Sequence, residues 1–191
     1  MHELTIDPGY YENERPEVAR LVPSSAKAIL DVGCGKGRLG HSLKQQASDR
    51  KVYGIEYIPS MAAEAEKVLD GVILGDLQTI AISFPYEYFD CIIFADVLEH
   101  LADPAALLRK LRQHLKLSGI IVCSIPNIRH YTAILRVIRG WQYDDYGLFD
   151  RTHLRFFTLS SMDQLLRDAG FILESSHPRI VASKILSSAT A

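Results

Sequence analysis

Four glycines stand within eight positions of one loop, directly after an apolar run. The stretch reads ILDVGCGKGRLG from Ile29 to Gly40. Glycine costs the folded chain roughly 0.5–1 kcal/mol relative to alanine inside a regular element, so a loop this rich in glycine must gain something from its missing side chains. We expect that a ligand approaches the backbone closely here.

The remainder of the chain alternates short β-branched runs with stretches of helical period. Strands are predicted at Ala28–Val32, Val52–Glu56, Val72–Leu74, Phe89–Ala95, Ile120–Ile125 and Phe171–Glu174. Helices are predicted at Arg15–Leu21, Arg38–Gln46, Ser60–Leu69, Pro104–Leu115 and Ser160–Ala169, the last capped by Ser160 and ended by Gly170. This order predicts an α/β fold, a doubly wound and mainly parallel sheet with helices on both faces.

Composition excludes several classes of protein. A chain of 191 residues, 48% of them hydrophobic, can bury one core, and its net charge of −2 gives no field for nucleic acid. The three cysteines form no C-x-x-C pair, which argues against a disulfide framework and a zinc site. No apolar run is long enough for a transmembrane segment, and the acidic first residues do not suit a signal peptide. We therefore expect a cytoplasmic protein.

The glycine loop lies where open parallel sheets bind ligands, between the carboxyl end of a strand and the start of a helix. Gly35–Gly40 also matches G-x-G-x-x-G, a weak dinucleotide signal when it stands alone. Asp31, at the end of the preceding strand, would repel a pyrophosphate but would balance a ligand that carries ammonium and sulfonium groups. The charge pattern therefore favours a ligand with ammonium and sulfonium groups over a dinucleotide.

Five segments in order resemble the motifs of class I S-adenosylmethionine-dependent methyltransferases, a Rossmann-like family. These segments are Asp31–Gly37, Gly54–Glu56, Gly75–Leu77, Phe89–His100 and Leu117–Ile120. The resemblance implies S-adenosylmethionine as cofactor, with Glu56 on the ribose, Asp76 on the adenine amino group and Asp96 beside the methyl group. The implied cofactor residues are Tyr11, Arg15, Asp31, Gly33, Cys34, Gly35, Gly37, Glu56, Tyr57, Asp76, Leu77, Asp96 and Val97.

The resemblance also suggests how the chain is organised. Residues 1–26 are predicted to fold over the cofactor as a lid through Tyr10, Tyr11 and Arg15, and residues 27–191 form the methyltransferase domain. Residues 127–158 are longer than a strand-to-helix loop needs and are predicted to form the acceptor-side wall. The seventh strand of the family has one candidate, Arg179–Ser183, so we expect it to be short or missing.

Methyl transfer to a hydroxyl oxygen benefits from a general base near neutral pKa, which histidine provides. His153 is the leading candidate because Arg151 and Arg155 flank it, and His100 and His130 are the others. No cluster of His, Asp or Glu has metal-ligand spacing, so no metal is expected. The sequence does not indicate an oligomeric state.

The acceptor is indicated only by weaker features. Tyr10–Pro16 and Asp150–Phe157 resemble a branch of the family found beside glycosyltransferases in surface-polysaccharide gene clusters, which implies a small-molecule or sugar-linked hydroxyl. A local excess of arginine favours an anionic acceptor, and its members are Arg129, Arg136, Arg139, Arg151 and Arg155. Apolar residues at helical spacing are expected to cover the core, with a pocket cap or a membrane surface as alternatives; they are Tyr131, Ile134, Leu135 and Ile138.

Other interpretations remain open at this point. A methyltransferase-like module that binds S-adenosylmethionine without catalysis keeps every cofactor residue. An NAD-dependent oxidoreductase uses the glycines and Glu56 but leaves Asp31 and the segment Asp96–His100 unexplained. Single residues also have structural alternatives: Asp76 in a turn, Asp96 as a helix cap, and His153 with Arg155 tying the insertion to the sheet.

Overall fold

The computed structural model describes residues 14–177. Its strands are β1 Ala28–Val32, β2 Lys51–Glu56, β3 Gly71–Leu74, β4 Phe89–Ala95 and β5 Leu115–Ser124. Its helices are α1 Pro16–Ala19, α2 Arg38–Gln46, α3 Pro59–Ala65, α4 Pro104–Arg112, α5 Tyr131–Ile138 and α6 Leu159–Asp168. A 3₁₀ turn over Leu98–His100 follows β4.

All strand pairs are parallel, and the sheet has the order β3-β2-β1-β4-β5. The predicted doubly wound α/β fold is therefore confirmed. The chain runs outward from β1 in one direction and then restarts at β4 in the other. At such a switch point the loops after the two neighbouring strands diverge and leave a crevice at their carboxyl ends.

The core forms two layers, one on each face of the sheet. Alternation along β1 shows this, since Ile29 belongs to the layer under α1, α2 and α3, and Leu30 to the layer under α4 and α6. Strands buried on both faces explain the almost continuous apolar runs in the sequence. Among the described helices, none is long and apolar enough to cross a membrane.

The predicted strand Phe171–Glu174 is wrong, because residues 171–177 adopt no regular structure. A strand exists only through hydrogen bonds to a neighbour. The amide of Phe171 instead donates to the carbonyl of Leu166 and closes the end of α6 (2.8 Å). The candidate seventh strand, Arg179–Ser183, lies outside the described residues.

Helix ends also differ from the prediction. Thr158, not Ser160, caps α6: its hydroxyl accepts from the Ser161 amide, and the Ser161 hydroxyl accepts from the Thr158 amide (3.1 and 2.9 Å). Gly170 ends this helix as predicted, with a φ of 85°. Helix α4 stops at Arg112 because Leu115 already pairs with Phe89 in the sheet.

Helix α5 does not cover the core as expected. Its apolar residues Tyr131, Ile134, Leu135 and Ile138 are between 44% and 75% exposed, and Ala133 is the buried residue of the helix. The apolar spacing correctly predicted a helix, but the prediction that this helix packs on the core was wrong. Within residues 14–177 this apolar face is open to solvent.

Candidate active site

A cleft opens at the switch point between β1 and β4. Its volume of about 2290 Å³ exceeds the roughly 300–1,000 Å³ of a typical ligand pocket, because it continues along β5 and the chain after α6. Its lining includes most of the predicted site residues: Arg15, Asp31, Gly33, Cys34, Gly35, Glu56, Tyr57, Leu77, Asp96, Val97, His100, His130 and His153. Gly37 and Asp76 do not line it, and Tyr11 lies outside the described residues.

The glycine loop passes very close to the end of β4. Gly33 and Gly35 have φ values of 71° and 53°, a conformation that side chains disfavour. A Cβ atom on Gly33 would lie 2.8 Å from Cγ2 of Val97. The amides of Gly33 and Cys34 donate to the Ile55 carbonyl (2.8 and 3.1 Å). These contacts hold the loop between the ends of β2 and β4, and its glycines place no side chains between the backbone and the cleft.

Glu56 ends β2 and fixes this loop from the other side. Its Oε2 accepts from the Gly35 amide (2.8 Å). Its Oε1 accepts from the amides of Tyr57 and Ile58 (2.9 and 2.8 Å). A carboxylate has about four lone-pair sites, so the buried side chain can anchor the loop and still accept one further hydrogen bond.

Asp31 is the most deeply buried acid at the glycine loop, with 2% exposure. Burial raises the pKa of its carboxyl from the ordinary 3.8 to about 7; the Arg15 guanidinium opposes this rise and the Glu56 carboxylate adds to it. A positively charged ligand in the cleft would favour the ionised form. Asp31 is therefore suited to balancing positive charge at this position.

Asp31→Asn is expected to flatten the pH dependence of stability. The unfolded carboxyl titrates near 3.8 and the folded one at about 7, so between these values only the folded state holds the proton. Asp31 should therefore lower the free energy of unfolding of the wild type by roughly 1.4 kcal/mol per pH unit across this window as pH rises, in addition to the fall that the raised pKa of Glu99 contributes. Urea denaturation between pH 4 and 8 measures the slope. Asp145→Asn, at an exposed acid, should keep the wild-type slope; a slope retained in Asp31→Asn would refute the assignment.

Arg15 connects the N-terminal segment to the end of β4. Its guanidinium donates to Oδ2 of Asp96 and to Oγ of Ser124, both at 2.9 Å, and Ser124 donates to Oδ1 of Asp96 (2.8 Å). Arg15 and Asp96 have φ values of 51° and 56°. Left-handed backbone at such residues costs about 1–3 kcal/mol each and persists only where surrounding contacts hold it. The contacts of the Arg15–Asp96 ion pair thus hold both residues in this left-handed conformation at the cleft.

His100 and His153 both line the cleft, and their rings are in edge-to-face contact with centroids 4.7 Å apart. Nδ1 of His153 lies 3.0 Å from the Leu148 carbonyl, and Nδ1 of His100 lies 3.2 Å from the Thr152 carbonyl. A carbonyl can only accept, so both Nδ1 atoms carry a proton in the neutral rings. Both Nε2 atoms therefore present a lone pair.

Glu99 lies beside this pair and is 1% exposed. One carboxylate oxygen and one ring nitrogen from each histidine all lie within 4.8 Å of one another. Neither oxygen of Glu99 has a hydrogen-bond partner among the described residues. Burial, and secondarily the Asp96 charge, raises the pKa of Glu99 to about 8; burial, and secondarily His153, lowers the pKa of His100.

The insertion is tied to the turn after β4 by its own backbone. The amides of Leu154 and Arg155 donate to the Glu99 carbonyl (2.9 and 3.1 Å). The Arg155 guanidinium donates to the carbonyls of Leu101 and Ala102. Arg155 therefore has the structural role considered from the sequence, and these contacts place His153 next to His100.

Two of the predicted anion-binding arginines already have acidic partners. Arg136 pairs with both oxygens of Asp144, and Arg151 pairs with Asp145 (3.0 Å). Arg129 and Arg139 are exposed. Arg136 and Arg151 therefore already have acidic partners within the insertion and are less available to an anionic acceptor.

His130, the third candidate base, immediately precedes α5, and its Nδ1 lies 2.7 Å from the Thr132 hydroxyl. It lines the cleft. The contacts that join His100 and His153 do not include it. The structure therefore separates His130 from the other two candidates.

Sequence reasoning missed three residues of the site: Glu99, Ser124 and Thr152. Glu99 did carry a signal, because it lies in Phe89–His100, one of the five segments that resemble the motifs of the family. Ser124 and Thr152 carried none, since their partners Asp96 and His100 lie 28 and 52 residues away.

Comparison with known proteins agrees with this geometry. A family model described as "Methyltransferase domain" matches residues 10–176. The chain belongs to this methyltransferase family. This is a family of class I S-adenosylmethionine-dependent methyltransferases, and S-adenosylmethionine is its cofactor. The bare loop, the acceptor capacity of Glu56 and the buried acid Asp31 fit this positively charged cofactor.

Curated relatives include ubiquinone biosynthesis O-methyltransferases. That of Cereibacter sphaeroides is 31% identical over 78% of this chain and 62% of the relative. That of Saccharophagus degradans is 30% identical over 91% of this chain and 73% of the relative. The chain thus spans less than two thirds of the length of the first of these.

Solved structures share the fold. A SAM-dependent methyltransferase of Thermotoga maritima has a TM-score of 0.64 at 24% identity, over 84% of this chain and 70% of its own. One of Aquifex aeolicus has a TM-score of 0.62 at 24% identity, over 86% of this chain and 83% of its own.

Proposed function

We propose that this chain transfers the methyl group of S-adenosylmethionine to a hydroxyl oxygen of a small-molecule or sugar-linked acceptor. One observation carries the proposal: the glycine loop with Glu56 and the pair His100–His153 line the same cleft. The bound cofactor supplies a methyl group already activated by a positive sulfonium. The protein then has to position the acceptor and exclude water.

The cofactor half of the cleft is assigned to the residues around the glycine loop. The amides of the loop and the remaining acceptor capacity of Glu56 suit the polar parts of the cofactor. Asp31 balances its positive charge. Leu77, which lines the cleft after β3, and Asp76 beside it are assigned to the adenine. The Asp76 carboxylate also accepts from the Gln78 amide, so a turn role coexists with this assignment (2.9 Å).

The histidine pair is assigned to the proton of the acceptor hydroxyl. Both rings are held by Nδ1 and offer Nε2, the nitrogen that can take a proton. His153 is buried and is fixed by Leu148 on its own segment, which makes it the leading residue. His100 is the second candidate and His130 the third.

A hydroxyl acceptor is supported by the activity of the curated relatives, which is O-methylation in ubiquinone biosynthesis. A sugar-linked acceptor rests on the resemblance of Tyr10–Pro16 and Asp150–Phe157 to the polysaccharide-associated branch. The exposed Arg129 and Arg139 support an anionic group on the acceptor. Small-molecule and sugar-linked acceptors should therefore both be tested.

A lid formed by residues 1–26 stays a prediction. Residues 1–13, with Tyr10 and Tyr11, lie outside the described part of the chain. The described part supports the lid through Arg15, which lies in the cleft and binds Asp96 and Ser124. A guanidinium at this point can also bind a carboxylate of the ligand.

Two measurements test the proposal. Isothermal titration should show binding of S-adenosylmethionine and no binding of NAD; the reverse result would favour the oxidoreductase. The second measurement is mass spectrometry of reactions with nucleotide sugars, uronic acids and hydroxyl-bearing intermediates of ubiquinone biosynthesis. We expect one added methyl group on a hydroxyl and release of S-adenosylhomocysteine. Binding of S-adenosylmethionine with no product from any acceptor would favour the non-catalytic module.

A further inference from the structure

We propose that Glu99, His100 and His153 form a binding site for a divalent transition-metal ion. One ligand atom of each residue lies within 4.8 Å of the other two. Ligands of one ion with bonds of about 2.0–2.2 Å lie within roughly 4.4 Å of each other, so small side-chain rotations complete the set. The three residues line the cleft of the proposed methyl transfer.

The first support is the isolation of the Glu99 carboxyl. It is 1% exposed, and neither of its oxygens has a hydrogen-bond partner within residues 14–177. Buried polar groups are nearly always paired, and leaving one unpaired is costly. A cation between the carboxylate and the two rings would supply the missing partner.

The second support is the way both rings are held. A histidine that binds a metal usually donates its other N–H to a carbonyl or carboxylate, which fixes the tautomer and the ring orientation. His153 does so to the Leu148 carbonyl and His100 to the Thr152 carbonyl. The Thr152 hydroxyl donates to Asp150 (2.6 Å) and therefore also accepts from Nδ1 of His100 (3.0 Å).

The donor set selects the kind of ion. Two imidazole nitrogens and one carboxylate oxygen suit Zn²⁺, Co²⁺, Mn²⁺ or Fe²⁺, whereas Mg²⁺ and Ca²⁺ prefer oxygen ligands. Three protein ligands leave a position for an acceptor hydroxyl, whose pKa the ion would lower so that the proton leaves to solvent. This catalytic use rests on the proposed methyl transfer to a hydroxyl, and it would replace proton acceptance by the Nε2 atoms, since a nitrogen that binds the ion has no lone pair left for a proton. Binding of the ion does not rest on that proposed function.

Titration of the chelator-treated protein with Co²⁺ alone tests the site. We expect one Co²⁺ per chain, with a ligand-field absorption band in the visible range. Thr152→Val, which removes one contact to His100, should weaken binding about 10–100-fold. Glu99→Gln and His153→Gln, which each remove a ligand, should weaken it further. Mg²⁺ should give no binding heat.

His41→Gln is the matched control, because His41 lies on α2 and its ring bonds only to Gln45 among the described residues. It should bind Co²⁺ like the wild type. No binding by the wild type, or equal binding by Glu99→Gln and His153→Gln, would overturn the site. Circular dichroism checks folding, and Thr152→Val carries the test if a ligand variant unfolds. Full methyl transfer by the chelated protein would overturn the catalytic use of the ion and leave the proposed function intact.

Discussion

Replacing His153 with glutamine is expected to lower the turnover of methyl transfer by about 10²–10⁴-fold. Glutamine has a similar reach but no basic nitrogen, so the lone pair at Nε2 is lost. The rate falls whether the ring takes the acceptor proton itself or holds an ion that lowers the pKa of the acceptor hydroxyl. S-adenosylmethionine affinity should stay unchanged, because His153 belongs to the acceptor half of the cleft.

The measurement is kcat at saturating cofactor, paired with isothermal titration of S-adenosylmethionine. His41→Gln, on α2, should retain the wild-type kcat. Adding Co²⁺ to the chelated wild type separates the two roles, since only a metal-bound pair responds with a higher rate. Full turnover in a folded His153→Gln protein would move the role to His100 or His130.

The sheet was predictable because its signals are local. β1 and β4 have the predicted bounds, since strands buried on both faces show as short apolar runs whatever packs on them. The glycine loop and Glu56 were predictable for a related reason. Positive φ values and close backbone approach restrict which residues can stand there, and this restriction is visible in one segment of sequence.

Features that depend on a distant partner were not predictable. The apolar spacing along α5 fits a helix over the core and an exposed helix equally well, and only the position of the helix distinguishes them. Phe171–Glu174 has strand-like composition but no neighbour that pairs with it among the described residues. A strand prediction from composition cannot include that partner.

The histidine cluster shows the same limit at the site. The sequence offered His100 and His153 as alternative bases because they lie far apart along the chain. The fold places the two rings in contact, with Glu99 beside them. Ligand spacing within one segment does not reveal this cluster, because backbone contacts between residues 154–155 and Glu99 assemble it from two distant segments.

Glu56→Ala is expected to weaken S-adenosylmethionine binding by about 10–10²-fold. The estimate corresponds to the one further hydrogen bond that the Glu56 carboxylate can accept, from a ribose hydroxyl to a charged acceptor, which is worth roughly 1.5–3 kcal/mol. The structure adds a second consequence. The amides of Gly35, Tyr57 and Ile58 would lose their acceptor, so the variant should also unfold at lower temperature.

Glu56→Gln separates these two effects. The amide oxygen can still accept from the Gly35 backbone, but the neutral side chain cannot provide a charged acceptor for the ribose. We therefore expect part of the stability to return while cofactor affinity stays low, and Glu66→Ala, outside the cleft, should match the wild type in both. Thermal unfolding and isothermal titration measure the two quantities independently. A Glu56→Ala protein with lower stability and unchanged affinity would show that the carboxylate only anchors the glycine loop, because the ribose contact would then contribute nothing.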